Sequence, residues 1–465
     1  MGTLIKKYID IVSENTDAPM NSITASAYWL ISSTLGYWIN LMDTPAEHGT
    51  RCNLFVLIIG QAGITRKSTV MGYASYVYRT AWREFYQKVG IDIDIDDKFI
   101  EEFTVEGIAD QVQSAIDSGI DDFVLMTDEF GIWLARAGAT HLLGSKGLLS
   151  KLYYGKGYKQ SLSQRGGKKG TREIPEGLYW TFLGAMQDPE LYLTEIDVKQ
   201  GFLRRFLLVS STDDDLREYK PPLSYERRFL KDKLSQIAKE LCKKMLDIYN
   251  FVGGFLPLDT YCSKSVESAI NEYDVKTYNE VRNIYTPGSV ISRYMVTSWE
   301  HILKLTALTA ISDQDKRPIM LAGNPSFYLD NTEHFIIARD WFDVVKQRIF
   351  SAIETISVNM QNPTLPSMDN VANRIIGAIN RAGGSVTTGE LLRSLGTTKQ
   401  HIKPYLTTLV EQGKVVPVYE ITSKGIIRLF LDNNKAKEYV NNQLTINPKT
   451  VIRILDVNSF DSMWK

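Results

Sequence analysis

The chain of 465 residues is poor in the residues that build metal and disulfide frameworks: it has three cysteines, Cys52, Cys242 and Cys262, far apart in sequence, and five histidines. Neither type recurs at ligand spacing, which argues against a zinc module and a disulfide scaffold and suits a reducing compartment. Surplus charge is also lacking, because 53 lysines and arginines face 54 aspartates and glutamates. Any contact with a polyanion must therefore come from local basic patches. No apolar run approaches bilayer-spanning length, and residues 1–15 alternate charge and apolarity like an amphipathic helix, not a signal peptide. The expectation is a cytoplasmic protein without membrane segments. No internal repeat or low-complexity tract interrupts the chain, whose length suits two or three domains.

What is present begins with NLFVLIIGQAGITRKST, starting at Asn53: an apolar run suited to a central parallel strand, a glycine turn and the start of a helix. In a phosphate loop of the form Gly, four residues, Gly, Lys, Ser/Thr, backbone N–H groups wrap phosphates and the lysine reaches the terminal ones. Gly60 and Gly63 begin that pattern, but the step from Gly60 to Lys67 is one residue longer and Arg66 takes the place of a glycine. Gly60, Gly63, Arg66, Lys67, Ser68 and Thr69 are the candidate nucleotide-binding set, with the Ser68 hydroxyl placed to meet Mg²⁺ at a helix N-terminus. The competing reading is an ordinary strand-turn-helix with a solvated Arg-Lys pair.

Three further apolar runs each end in polar residues that fit this chemistry. FVLMTDEFG presents Asp128, a candidate Mg²⁺ ligand through water, and Glu129, a candidate to orient or deprotonate an attacking water, although such acid pairs also cap turns. LYWTFLGAMQDPEL presents Gln187, an amide for a γ-phosphate or that water. In VKQGFLRRFLLVSS, Arg204 or Arg205 needs a partner if buried and points into an interface, at phosphate, or at a local carboxylate. Strands are expected at 54–59, 122–127, 178–185 and 205–210, alternating with helical stretches, which predicts an α/β fold with a parallel sheet.

Taken in order, an N-terminal helical segment, NLFVLIIGQAGITRKST, FTVEGIADQV, LMTDEFGIWLARAG, LGAMQDPEL and GFLRRFLLV resemble, over residues 8–211, the helicase-like P-loop ATPases of phages, plasmids and mobile elements, which often stand beside a primase domain. The order is also similar to the AAA+ core of mini-chromosome maintenance helicases, whose acidic, sensor and arginine-finger positions correspond to 128–130, Gln187 and Arg205–Phe206. The glutamine replaces that group's sensor asparagine. The resemblance implies a P-loop NTPase (AAA+/RecA-like) core over 51–222 that uses ATP and Mg²⁺. It also implies that Arg205 acts across a subunit interface in a homo-oligomer, expected to be a hexameric ring, with a primase or other replication proteins as expected partners.

Residues 1–50 read as a helical segment packed on that core, with helices to about residue 13 and over 21–41. Residues 223–360 read as a helical lid, in which helical phase places Arg293 as a distal cation for the nucleotide. Within the core, GKGYKQSLSQRGGKKGTREIPEG predicts two short strands around a basic tip bearing Arg165, Lys168, Lys169 and Arg172. Inserts here in translocases of this resemblance touch nucleic-acid backbone, and lysines and arginines do so without reading sequence. The alternative is a solvated hairpin. Residues 361–432 predict three helices and a β-hairpin, the pattern of a winged helix, with Lys399, Gln400 and Lys403 beside His401 facing a groove. Pro404 requires the third helix to start late or kink, and such modules also bind proteins. Residues 433–465 form a tail without pattern. The expected function is an ATP-driven oligomeric DNA helicase or translocase of a mobile element, acting in DNA replication on single-stranded or forked DNA. The alternative is an ATP-switched initiator, loader or regulator that binds DNA without unwinding it.

Overall fold

A computed structural model describes residues 3–61, 64–100, 104–136, 145–161, 171–187, 201–211, 215–220, 229–284, 290–295, 297–361, 375–380, 382–395, 402, 406–407, 409–410, 413–422, 425–432, 436, 439–440 and 451–454. Two helices open the chain, α1 over Thr3–Asn15 and α2 over Met20–Thr34. From Ser22 to Thr34 every residue of α2 is buried, so its many hydroxyls must find partners inside the protein. Ser32 Oγ donates to the Cys52 carbonyl at 3.1 Å and accepts from the Leu54 N–H at 2.8 Å, satisfying the backbone just before the first core strand.

The aromatic-rich pattern extends this helix to residue 41, but the structure ends it at Thr34. A 3₁₀ turn over Gly36–Trp38 leads into strand β1, Ile39–Leu41. Gly36 permits the close approach there, since a Cβ would meet the Cys52 carbonyl and the Tyr179 hydroxyl at 2.8 Å. A short strand β2, Thr50–Arg51, pairs antiparallel with β1.

The core follows as β3 (Phe55–Ile59), α3 (Lys67–Val89), β4 (Phe99–Ile100), α4 (Val105–Asp117), β5 (Asp122–Thr127), α5 (Phe130–Arg136) and α6 (Ser145–Leu152). A hairpin β6 (Tyr158–Ser161) and β7 (Thr171–Ile174) precedes β8 (Tyr179–Met186) and β9 (Phe206–Ser210). Strands β4, β5, β8, β3 and β9 lie in that order in one sheet, every pair parallel. β3 and β8 are buried at every residue, as expected of parallel strands covered on both faces. The fold is α/β. The strand expected at 122–127 coincides with β5, those expected at 54–59 and 205–210 each start one residue later, and the one expected at 178–185 is shifted by one residue at both ends.

The stretch read as a helical lid departs further. It holds helices Leu230–Val252, Lys264–Ile284, Val290–Met295, Ser298–Ser312 and Thr332–Gln361, but also β10 (Leu258–Cys262), β11 (Ile319–Leu321) and β12 (Asn324–Leu329). These join the N-terminal strands in a second sheet of order β11-β12-β10-β1-β2, with β1 and β10 parallel. Strands of three to six residues carry little periodicity, and their pairing depends on partners more than 200 residues away in sequence for β1 and β10. Among the described residues no helix is long and apolar enough to cross a membrane.

The chain forms two compact units, divided in the main between Thr355 and Ile356. In the second, residues 375–380 are helical, followed by β13 (Ser385–Thr387), a helix over Thr388–Leu395, helical residues 402, 406–407 and 409–410, and the hairpin β14 (Val415–Thr422) and β15 (Gly425–Asp432). Thr387 and Glu390 cap the helix reciprocally: Glu390 N–H donates to Thr387 Oγ1 at 3.2 Å, and Thr387 N–H donates back to the carboxylate at 3.0 Å. Ile375, Ile379, Leu391, Ile402, Leu406, Leu409 and Phe430 form its core. The tail is not without structure, because β16 (Val451–Ile454) pairs antiparallel with β14.

One buried ion pair fixes the start of β5. Lys98 is fully buried, 2.5 Å from Asp122 Oδ1, and its ammonium lies 3.4 Å over the Trp82 ring. Burial pushes the Asp122 carboxyl up and the Lys98 ammonium down from their ordinary values, and the pairing opposes both. Asp122→Asn should therefore cost about 3–5 kcal/mol by stranding the lysine, whereas Lys98→Met combined with Asp122→Leu should cost far less. Urea unfolding midpoints of the two variants measure this; equal losses would mean that the charge pairing is immaterial.

Candidate functional site

The chain leaving β3 runs to β4 at one edge of the parallel sheet, and the chain leaving β8 passes to β9 at the other. Adjacent parallel strands whose connections run in opposite directions leave a crevice at their carboxyl ends, where ligands of such sheets bind. Register decides which residues stand there. Ile59 is level with Met186, and the Gly60 N–H donates to the Met186 carbonyl at 3.1 Å, which makes the glycine loop and Gln187 neighbours. Thr127 is level with Gly184, so Asp128 and Glu129 emerge from the other flank of β8.

The loop is braced by a residue that sequence reasoning passed over. Thr65 is fully buried and donates through Oγ1 to the Gln61 carbonyl at 2.9 Å. A Cβ on Gly60 would stand 2.8 Å from Thr65 Oγ1, so glycine is needed for this closure. Lys67 opens α3 with 7% of its surface exposed. Its ammonium lies over the loop, donating to the carbonyls of Gly60 and Gln61, the latter at 3.0 Å, and to Thr65 Oγ1 at 3.3 Å.

Arg66 precedes α3 in the left-handed region, φ 50° and ψ 29°, and provides no side-chain cap. This is the conformation that favours glycine, which accounts for the glycine usual at the position. Its guanidinium turns away to Asp17, with Nε 3.1 Å from one carboxylate oxygen. That hydrogen bond, with the charge of Asp17, raises the Arg66 pKa above its ordinary value. Asp17, between α1 and α2, was not anticipated; nothing in its neighbouring sequence marks it as a partner of the loop.

The Ser68 hydroxyl donates to Asp128 Oδ2 at 3.2 Å, joining the start of α3 to the end of β5. Glu129 is exposed beside it, with its N–H on Thr127 Oγ1 at 3.3 Å and its carbonyl accepting from Ile132 N–H at 3.0 Å in the first turn of α5. Gln187 is exposed just past β8, and half-buried Thr69 follows Ser68 in α3. Gly60, Lys67, Ser68, Asp128, Glu129 and Gln187 therefore share one end of the sheet. Among the described residues no group of three His, Cys, Asp or Glu forms a ready-made metal cage. One hydroxyl and one carboxylate instead suit a hard cation such as Mg²⁺ that takes its remaining ligands from water and phosphate.

Arg205 lies at the opposite end. It closes a 3₁₀ turn over Leu203–Arg205, and the next residue, Phe206, is level with Phe55 at the start of β3. From that level to Gly60 the sheet rises by roughly 17 Å. The guanidinium is half-buried, donates to the Gly201 carbonyl and lies 5.1 Å from the centre of the Tyr154 ring. Burial holds its pKa below the ordinary value. The neighbouring Arg204 carbonyl accepts from Thr297 Oγ1 at 3.0 Å and His301 Nε2 at 3.1 Å.

Other expected residues fall outside the described set. These are Gly63 of the loop, Arg165, Lys168 and Lys169 of the basic tip, and Lys399, Gln400, His401 and Lys403 of the second unit. Arg172 belongs to β7 and Arg293 to the helix Val290–Met295, but their side chains are also outside it.

The backbone at Arg66 yields a test. Arg66→Gly and Arg66→Ala both remove the Asp17 contact, and only alanine retains a Cβ in the left-handed region, so the glycine variant should be the more stable by about 1–2 kcal/mol. Urea unfolding followed by tryptophan fluorescence compares them; equal midpoints would show that the loop relaxes out of this conformation.

Comparison of the chain with protein-family models and with curated proteins returns no match, and the chemistry of these residues is the ground for assigning a function.

Proposed function

We propose that the chain is a P-loop NTPase of the AAA+/RecA-like kind, hydrolysing ATP with Mg²⁺ as an oligomeric DNA helicase or translocase, with a C-terminal winged helix that recruits DNA. The observation that carries this reading is the 3.2 Å contact of Ser68 Oγ with Asp128 Oδ2 across the crevice. It unites the two elements that sequence alone marks as phosphate-binding and acidic. Bound Mg·ATP supplies the phosphoanhydride to be cleaved and a cation that offsets charge on its oxygens. The chain's own residues do the rest. Lys67 transfers its hydrogen bonds from loop oxygens to phosphate, while N–H groups in the first turn of α3 and the helix dipole favour the anion. Ser68 and Asp128 hold the metal, Glu129 accepts the proton of the attacking water, and Gln187 orients that water or a phosphate oxygen.

The distance between Arg205 and the loop bears on assembly. An arginine at the amino end of the sheet serves a phosphate only in a neighbouring subunit, which requires a head-to-tail interface. Such interfaces close into rings when the rotation permits, in keeping with a hexamer. The β6–β7 hairpin carries the basic tip for DNA backbone, and the motif order favours replication of a mobile element, with a primase as a suitable partner.

Lys67→Ala should abolish ATP binding in a direct titration, whereas Glu129→Gln should retain binding and lose turnover. The native protein should separate the strands of a forked duplex with ATP. ATP affinity unchanged by Lys67→Ala overturns the site, and hydrolysis without strand separation favours the initiator or loader reading.

Arg205→Ala should keep ATP binding and lose turnover by a factor on the order of 10³. Mixing it with Glu129→Gln protein should restore part of the activity, because one subunit supplies the arginine and its neighbour the base. Inactivity at every mixing ratio, with mixed oligomers demonstrated, excludes action in trans.

A further inference from the structure

Arg205 rests on a residue with two different attachments. Tyr154, over whose ring the guanidinium lies, directly follows Tyr153, which is clamped in the interior. The Tyr153 hydroxyl donates to Glu300 Oε1 at 2.7 Å and accepts from Lys304 Nζ at 2.9 Å. Lys304 also meets Glu300 at 3.0 Å and donates to Asn53 Oδ1 at 3.0 Å. The Asn53 amide in turn donates to the carbonyls of Tyr153 and Trp180, each at 2.9 Å. This buried network spans the foot of β3, β8, the end of α6 and the helix Ser298–Ser312. Tyr153 is thereby held to the sheet.

On its other side Tyr154 runs into the hairpin. It is 42% exposed, and Gly155, Lys156 and Gly157 are all that separate it from β6. Gly155 has φ +61°, and a Cβ on it would stand 3.1 Å from the Leu178 carbonyl, while one on Gly157 would stand 3.0 Å from the Ile174 carbonyl of β7. The junction is tied as well as tight: the Gly155 carbonyl accepts from the Gly177 N–H at 2.8 Å and the Lys156 N–H donates to the Lys151 carbonyl at 3.0 Å, so it links a clamped tyrosine firmly to strands leading to a basic tip.

We propose that Tyr154 is a positioning residue that couples the nucleic-acid hairpin to Arg205. Load on the hairpin passes through the tied Gly155–Gly157 link to Tyr154, and the stacked guanidinium follows towards the neighbouring subunit. This rests on the ATPase reading above and adds to it the route by which DNA would accelerate turnover. A cation over an aromatic face contributes about 0.5–2 kcal/mol, enough to bias one arginine position yet weak enough to be released.

The test measures ATP turnover of the full chain with saturating single-stranded DNA. Tyr154→Ala should lower DNA-stimulated kcat by roughly 10- to 100-fold, the scale of a misplaced group, with KM for ATP and affinity for DNA changed less than about twofold. Tyr154→Phe, which keeps the aromatic face, should restore turnover. Should Tyr154→Ala unfold at a lower temperature, Tyr154→Leu, which keeps apolar cover without a π face, carries the same expectation. Native DNA-stimulated kcat in the alanine or leucine variant overturns the coupling, and so does a phenylalanine variant as slow as alanine. If the native protein hydrolyses ATP without acceleration by DNA, the coupling falls and the ATPase reading stands. If it hydrolyses none, both fall.

Discussion

An ammonium buried at the positive end of a helix is the constraint on which the site depends. Lys67 starts α3, where the dipole disfavours a cation by about 0.3–1 kcal/mol, and only 7% of its surface remains exposed. The loop responds by turning oxygens inward, the carbonyls of Gly60 and Gln61 and the hydroxyl of Thr65. That inward turn explains the lack of a Cβ at residue 60 and the burial of Thr65. On the proposed reading the loop is also a receptor: a polyanion over the first turn of α3 would offset both the ammonium and the dipole, replacing neutral partners with charge-assisted ones, which are roughly twice as strong.

The polarity of the parallel sheet then separates two kinds of work. Its carboxyl end gathers polar residues that are largely exposed, Ser68, Asp128, Glu129 and Gln187. Its amino end buries charge, and there the balance differs. Burial alone would raise the Glu300 carboxyl, but Lys304, His301 and the Tyr153 hydroxyl hold it below its ordinary value. Burial takes His301 down to about 4, so it stays neutral near neutral pH and donates from Nε2 to the Arg204 carbonyl. A hydrogen-bonded network of this kind costs desolvation and returns rigidity, even though His301 Nδ1 is left buried without a partner. That is what the foot of a sheet needs if a mobile arginine is mounted on it.

Much of this was legible in the sequence because parallel strands buried on both faces read as uninterrupted apolar runs. Asp122–Thr127 lies where the pattern puts it, and the polar residue after each run marks the carboxyl end. The second sheet was not legible, since β10, β11 and β12 are short and β1 hides behind the aromatic spacing of Tyr37 and Trp38, residues that pack in the core as helical residues would. β16 was missed for the same reason: four residues in a polar tail become a strand only because β14 offers an unpaired edge. Among site residues, Lys67, Ser68 and Asp128 announce themselves by type and spacing. Asp17 and Tyr154 do not, because each acts through a neighbour distant in sequence, and Thr65 does not, because its bond to Gln61 exists only once the loop has closed.

The irregular loop gains a physical account from the same neighbours. An L-residue in the left-handed region costs about 1–2 kcal/mol, and a partly exposed ion pair such as Arg66 with Asp17 offsets at most about 1 kcal/mol of it. The pair therefore does not sustain the conformation alone. What sustains it is the closure beside it, Thr65 donating to Gln61 and Lys67 reaching back over both, so that residue 66 has little choice of backbone angle. Given that constraint, an arginine has a use that glycine lacks. Its side chain fastens the loop to the turn between α1 and α2, whose Ser22 also meets Ser211 past β9 at 3.1 Å. The N-terminal helices are thereby fastened to the loop itself, one residue from Lys67.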